Sequence, residues 1–276
     1  MTDGKHVCGS PRRGSFFCAY RRVRCDNVRC VLYFDLFKSW NLRMELEQIC
    51  KAVSEGIIMK FNRFEVVSGT YIEEITGQSR IGYAMSDTVD FFDMVDLAQK
   101  GEYNGSIISF YDYTNGKIYR PFQKRRNVLY GKPVYLQGRF WFLQGDYNTG
   151  KITLLKYIPN EIPEMVTQLN ISDVDVYNLR IIGEDVHIVS ENDEFVCYYP
   201  EHFRFAKEVN EDASIIADGK VYFSAWVEEG WDDENDCATE DYKYYEKVIV
   251  KDFAGNVLSD VLGCLQQRPD GTWWMA

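Results

Sequence analysis

The run Leu136-Gln137-Gly138-Arg139-Phe140-Trp141-Phe142-Leu143, at the centre of residues 128–159, decides how the rest of the chain is read. It reads as the second of three strands: Lys132 to Leu136, a turn at Gln137-Gly138, Arg139 to Leu143, a turn from Gly145 to Gly150, and Lys151 to Ile158. Phe140 to Leu143 has no polar alternation, so both faces of that strand are apolar and both need cover.

Working outward, the same strand-turn-strand unit recurs. Ser106 to Phe122 reads as a hairpin with Asn115-Gly116 at its tip, the dipeptide that a tight turn needs. Val174 to Ile182, Val186 to Ser190 and Glu194 to Tyr199 form the next copy. Ala213 to Ala217, Lys220 to Val227, Tyr245 to Phe253 and Val257 to Leu262 form another, and Pro269 to Met275 begins a last one. The glycines opening each central strand, Gly138, Gly183, Gly219 and Gly271, are 45, 36 and 52 residues apart, which brackets the length of a propeller blade. A two-faced apolar unit is covered by stacking copies radially, whereas a sandwich would alternate with polar residues on its outer faces. The expected fold is therefore all-β and β-propeller-like with about five blades. Strands near residues 60–75, read from Phe61 to Glu74 and broken at Gly69, are expected to join the last sheet and close the ring.

One helical pattern interrupts the strands, at about residues 86–100. Ser86 reads as its cap, Asp87 lies in its first turn and Gly101 ends it, with Val89, Phe92, Val95 and Ala98 on the buried face. Asp87, Asp90, Asp93 and Asp96 recur on the other side. The plain reading of such a row is a solvated face.

The formal net charge of -11 argues against a phosphate backbone as partner. Aromatic residues make up 15% of the chain, which favours strands and interlocking sheet contacts. The charge is uneven: residues 1–58 carry ten Lys/Arg against six Asp/Glu, and five of the eight cysteines (Cys8, Cys18, Cys25, Cys30, Cys50). This leader is expected to lie outside a single domain spanning residues 59–276. Two readings of it stand: Ser54 to Met59 as a translated ribosome-binding site with Met59 as the true start, or a short helix capped by Asn41 with Leu42, Leu46, Ile49 and Val53 on one face. The cysteine spacing matches no zinc pattern and no disulfide framework, which favours a reducing compartment. No secretory signal and no run of about 20 apolar residues occurs, so the expectation is a cytoplasmic protein without a membrane partner.

Catalytic signatures are few. Gly145 to Lys151 has the glycine and lysine spacing of a phosphate loop, but Ile152 stands where Ser or Thr should hold magnesium, and a strand follows instead of a helix. There is no Gly-x-Ser-x-Gly elbow, and no His-x-His, His-Glu-x-x-His or EF-hand pattern; His187 and His202 stand alone. Hence no catalytic residue, metal ligand or cofactor is assigned. The stretch Glu228 to Tyr245 reads as an acidic insertion, with Trp226, Trp231, Asp232, Asp233 and Asp236 as candidate ligand-binding residues. Carboxylates beside aromatic faces suit calcium, a sugar or a basic partner, and the plain alternative is a solvated loop. Lys124-Arg125-Arg126 reads as a wet connection. The expected function is a non-enzymatic binding or scaffolding protein for an unknown protein or carbohydrate. The alternative is a glycosidase-like enzyme drawing carboxylates such as Asp112, Asp146 and Asp185 from different blades.

Overall fold

Apolar strands with two greasy faces dictate the architecture of the computed structural model, which describes residues 61–232 and 234–276. The readings of the leader, and that of Asp233, fall outside the described residues. Residues 62–276 form one compact unit, mostly β and built from five antiparallel sheets. The first contains β1 (Glu73–Glu74), β2 (Ile81–Met85), β3 (Ile108–Asp112) and β4 (Ile118–Tyr119) in that order. The second contains β5 (Val128–Tyr130) and β6 (Val134–Leu136), both paired with β7 (Arg139–Asp146), then β8 (Lys151–Tyr157) and β9 (Glu164–Asn170).

The third sheet runs β10 (Arg180–Ile182), β11 (His187–Glu191), β12 (Glu194–Tyr199), β13 (Phe203–Ala206). The fourth runs β14 (Glu211–Ala217), β15 (Lys220–Asp232), β16 (Cys237–Asp252), β17 (Val257–Leu262). The fifth is a two-stranded hairpin of β18 (Leu265–Gln267) and β19 (Trp273–Met275).

Strand β7 shows why the sheets stack. Phe140 and Phe142 point into a core shared with the first sheet, among Ile81, Tyr83, Ile108 and Phe110. Trp141 and Leu143 point the other way, into a core shared with the third sheet, among Ile181 and Ile188. Period-two alternation sends neighbours to opposite faces, so a run of four apolar residues feeds two cores. The third sheet repeats the device: Ile188 joins the second sheet, while Val189, Phe195 and Cys197 join the fourth through Val221 and Phe223.

The glycines singled out as a repeat occupy equivalent turns. Gly138, Gly183, Gly219 and Gly271 each lie in the first hairpin of a sheet, and Gly77, which the pattern did not include, holds that place in the first. Left-handed backbone explains two of them directly: Gln137-Gly138 and Asp218-Gly219 both have positive φ at both positions, as a two-residue hairpin turn requires. Successive first hairpins touch. Gly77 N–H donates to Pro269 O at 3.0 Å, and Gly77 also approaches Tyr135. Gln137 Nε2 reaches Asp185 Oδ1 at 2.6 Å, and Glu184 N–H reaches Ile216 O at 3.0 Å. These contacts link the fifth sheet to the first, the first to the second, the second to the third and the third to the fourth.

Two expectations are corrected. The segment Phe61 to Glu74 contributes only β1, and β1 pairs with β2 in the first sheet, not with the last; Glu65 N–H likewise bonds Gly116 O of the first sheet at 2.8 Å. The helix, α1 (Asp93–Lys100), starts later than Ser86. Asp90 serves its start by accepting from Asp93 N–H at 2.8 Å, while Ser86 and Asp87 are taken up by Ile107, Val89 and Tyr103. Its buried face is Phe91, Met94, Leu97 and Ala98, with Phe92 and Val95 exposed. Val89 and Ala98 of the expected face do pack against this core, but Phe92 and Val95 do not; Phe91 and Met94, one residue earlier and equally apolar, take their places. Gly101 does end the helix, in the left-handed conformation.

This phase can be tested by substitution. Met94→Ala should cost about 3 kcal/mol of unfolding free energy in urea titration, because it empties a sealed core. Val95→Ala should cost under about 1 kcal/mol. Equal losses would return the helix to the phase that the sequence suggested.

Candidate functional site

The region marked as an acidic insertion is not a loop. Strands β15 and β16 run on past the rest of the fourth sheet as a two-stranded ribbon, with Trp226 opposite Glu246, Val227 opposite Tyr245, Glu228 opposite Tyr244 and Glu229 opposite Lys243. Strand β14 pairs with β15 only as far as Ala225, and β17 meets β16 only from Lys247. From there outward, among the described residues, both ribbon edges lack a neighbouring strand.

Period-two alternation assigns the faces. Val221, Phe223 and Ala225 face the third sheet, so Trp226, Glu228, Tyr242, Tyr244 and Glu246 lie on the face turned away from it. Strict alternation would put Trp231 on the other side. The pairing is irregular between Glu229 and Trp231, at Gly230 (φ 74°), and the Trp231 ring comes to rest edge-on to Tyr242 at 6.0 Å. A Cβ at Gly230 would stand 2.9 Å from the Asp241 backbone, so the close approach requires glycine.

Tyrosine hydroxyls hold two of the carboxylates across the ribbon. Tyr242 donates to Glu228 Oε1 and Tyr245 to Glu229 Oε1, both at 2.7 Å, and each bond raises the tyrosine pKa by favouring its protonated form.

The candidate ligand-binding residues are therefore divided. Trp226 and Trp231 share a face and remain roughly half exposed, at 46% and 41%. Trp226 is anchored through its backbone to Asn210, which donates to its carbonyl at 2.7 Å. Asp232 belongs to the turn at the tip: it accepts from Glu234 N–H, Asn235 N–H and Asn235 Nδ2, and these bonds hold its pKa below the usual carboxylate value. Asp236 sits in the same turn with φ 51°. Among the described residues no group of three or more His, Cys, Asp or Glu is arranged to hold a metal ion.

A second site has no sequence signature. A cleft of about 670 Å³ opens between the third and fourth sheets, lined among others by Tyr177, Arg180, Glu191, Lys207 and Glu211. Glu191 and Glu211 are almost fully buried. Arg180 pairs with Glu191, and together they clasp the backbone of Ala213 on β14: Glu191 Oε1 accepts from its N–H at 2.8 Å, and Arg180 donates to its carbonyl at 2.9 Å. Burial pushes the Glu191 carboxyl pKa upward, against the pull of Arg180. Glu211 accepts from Lys251 Nζ at 2.6 Å and from Glu208 N–H at 3.0 Å, and the Lys251 ammonium lies over the Phe223 ring at 5.2 Å. Partners 11 and 40 residues apart leave no local pattern, so neither pair was legible; a lysine within Val248-Ile249-Val250-Lys251 is the one clue.

The carboxylates offered for catalysis are spent on turns and neighbouring sheets. Asp112 is fully buried and accepts from Arg80 at 2.6 Å, from Thr114 N–H and Oγ1 and from Asn115 Nδ2. Asp146 takes Arg125 at 3.2 Å and caps Asn148, and Asp185 takes Gln137. Asp112 and Asp185 lie at the end of the sheets that carries the first hairpins, and Asp146 lies at the opposite end. The segment Gly145 to Lys151 is the β7 to β8 hairpin tip, and Lys124-Arg125-Arg126 is a connection tied to Asp146 and Gly101. Among the described residues no helix is long and apolar enough to cross a membrane, which says nothing of a β-barrel.

No family model, curated protein or solved structure matches this chain.

Two measurements test the charge pairs. Lys251→Ala strands the Glu211 carboxylate in a closed core and should cost about 3 to 5 kcal/mol in urea titration, whereas Lys251→Met with Glu211→Gln should recover most of it. The Arg80 hydrogen bond, ahead of the Thr114 bonds, lowers the Asp112 pKa to about 2 from an unfolded value near 3.8. Its contribution is therefore complete above about pH 4 and is lost as pH falls toward 2. Asp112→Asn should lower the melting temperature at pH 7 and flatten the fall in stability between pH 4 and 2; an unchanged acid slope would refute the assignment.

Proposed function

We propose that residues 62–276 form a propeller-like ring of five sheets, the fifth reduced to a hairpin, and act as a non-enzymatic binding or scaffolding module. The ring reading is supported by the series of contacts among first hairpins, above all by Gly77 meeting Pro269 across 192 residues. A sandwich has no reason to bring its first and last sheets together in this way.

The binding reading rests on one observation, the ribbon of Trp226 to Glu246. It extends beyond the sheet that bears it and presents aromatic side chains on a face that packs against none of the three apolar cores. An unpartnered aromatic surface on an ordered element is a recognition feature more often than a folding feature. The ligand class under this reading is another protein or a carbohydrate.

The glycosidase-like alternative draws on the cleft that holds Glu191 and Glu211. A general acid and its partner need free carboxyl oxygens facing substrate. Glu191 has both oxygens engaged by Arg180 and Ala213, and Glu211 is neutralised by Lys251. That chemistry favours a structural role for the pair and leaves binding as the better reading.

A shortened variant gives the test. Residues 228–244 are replaced by Asn-Gly, which joins Val227 to its cross-strand partner Tyr245 and keeps the register of β15 and β16. Full-length and shortened chains are compared for capture of proteins from extract and for binding to a panel of oligosaccharides. Ligands should be retained by the first and lost by the second; identical retention by both would overturn the reading.

A further inference from the structure

The ribbon carries more chemistry than an unspecified recognition element. Between residues 228 and 246 there are nine carboxylates against one lysine. The aromatics and part of this charge share the face turned away from the third sheet: Trp226, Trp231 and Tyr244 are 46%, 41% and 58% exposed, with Glu228 and Glu246 set between them by the register. Of the groups that suit flat aromatic faces interleaved with carboxylates, a cation with an apolar stem uses both features and also compensates the net charge. Arginine and lysine side chains stack on such rings through cation–π attraction while their heads pair with the carboxylates.

The chemistry also weighs against the other ligand classes. A sugar could accept and donate hydrogen bonds here, but being neutral it would leave the net excess of carboxylates uncompensated, whereas a cationic chain neutralises it. Nucleic acid would be repelled.

Shape adds a second, independent argument. Beyond Trp226 on β15, whose backbone bonds Asn210, and before Glu246 on β16, whose carbonyl bonds Gly263, no strand among the described residues lies beside the ribbon edges. An extended chain can hydrogen-bond along such an edge and project alternate side chains over the adjoining face. The cross-strand bonds from Tyr242 to Glu228 and from Tyr245 to Glu229 keep the ribbon in this form before any partner arrives, which reduces the ordering cost of binding. We infer that the ribbon of residues 226–246 is a docking site for an extended basic segment of another polypeptide, held by arginine or lysine side chains over Trp226, Trp231 and Tyr244. This inference rests on the binding reading given above and narrows its ligand to a basic peptide.

The probe is a fluorescein-labelled twelve-residue peptide of alternating arginine and valine, titrated with the full chain and followed by anisotropy. A peptide with glutamate in place of arginine is the control. The arginine peptide should bind saturably and the glutamate peptide should not, and affinity should fall as salt rises from about 50 to about 500 mM. Trp226→Ala with Trp231→Ala should weaken binding about tenfold or more. Glu228→Gln with Glu246→Gln should weaken it and flatten the salt dependence. Because the tryptophan pair contributes to the sheet, the charge pair and the shortened 228–244 chain are measured beside it, each with its melting temperature.

Equal binding of the two peptides, or arginine-peptide binding untouched by shortening the ribbon, would overturn the inference. Failure of the arginine peptide to bind would also overturn it, while leaving ribbon-dependent capture of a different ligand intact. The binding reading itself falls only if full-length and shortened chains retain the same ligands.

Discussion

Strands that are apolar on both faces cannot end a protein; they oblige it to add another layer on each side. In β7 the alternation of Phe140 and Phe142 with Trp141 and Leu143 makes the second sheet the shared wall of two cores. The third sheet does the same with Ile188 and Val189. Each layer buries one neighbour and exposes the need for the next, so the order of sheets in space follows the order in sequence. Full burial of side chains such as Phe142 and Phe223 supplies about 2 to 3 kcal/mol apiece, and many of them act in concert. The exposed row Val257, Leu258, Val261 and Leu262 on β17 shows where this logic stops among the described residues, where the fifth sheet has two strands.

Stacking apolar faces leaves a second problem at the sheet edges, where backbone groups face a neighbouring sheet and not a hydrogen-bonding strand. Ala213 on β14 illustrates the solution: its N–H and carbonyl are both taken by the Glu191 and Arg180 pair from the third sheet. A buried ion pair by itself is weak evidence of stability, because removing two charges from water costs several kcal/mol. Here the charges also satisfy a strand edge, which a pair of apolar residues would leave bare. The same pair joins β10 and β11 to β14 in a single register. A catalytic pair of carboxylates would be arranged differently, with lone pairs turned toward a vacant volume and not toward protein donors. The cleft at this point is thus the visible rim of an internal brace.

How much of this could be read from residues alone depended on how local the cause was. Turns depend on one or two residues, and Gly138, Gly183, Gly219 and Gly271 were legible at equivalent positions, whereas Gly77 was hidden because its flanking strand, β1, is two residues long. The helix was legible in period and in the burial of Val89 and Ala98, but not in the choice between Phe92 and Val95 and the equally apolar Phe91 and Met94, which only the second and third sheets make. The partners Glu211 and Lys251, 40 residues apart, meet through tertiary packing, and no pattern within either strand announces the other. The residues of the candidate site were partly legible: their chemistry drew notice to Trp226 and Trp231, but their geometry did not follow from it.

The ribbon has the sequence of a loop for a related physical reason. Alternation of apolar and polar residues reports a strand with one face buried, and a ribbon wet on both faces has no such constraint. Carboxylates can occupy either face, and they mask the aromatic series Trp226, Tyr242 and Tyr244 by filling the places between. What remained visible was composition, rich in acid and in rings, which describes a solvated loop equally well. The structure separates the two by its cross-strand register and by Gly230, whose irregular pairing brings Trp231 back to the side of Tyr242. A loop gains nothing from such a correction, because its side chains already reach every direction. In the ordered ribbon the irregularity at Gly230 is what keeps Trp231 beside Tyr242 on one face, and that shared face is the physical basis of the binding proposal.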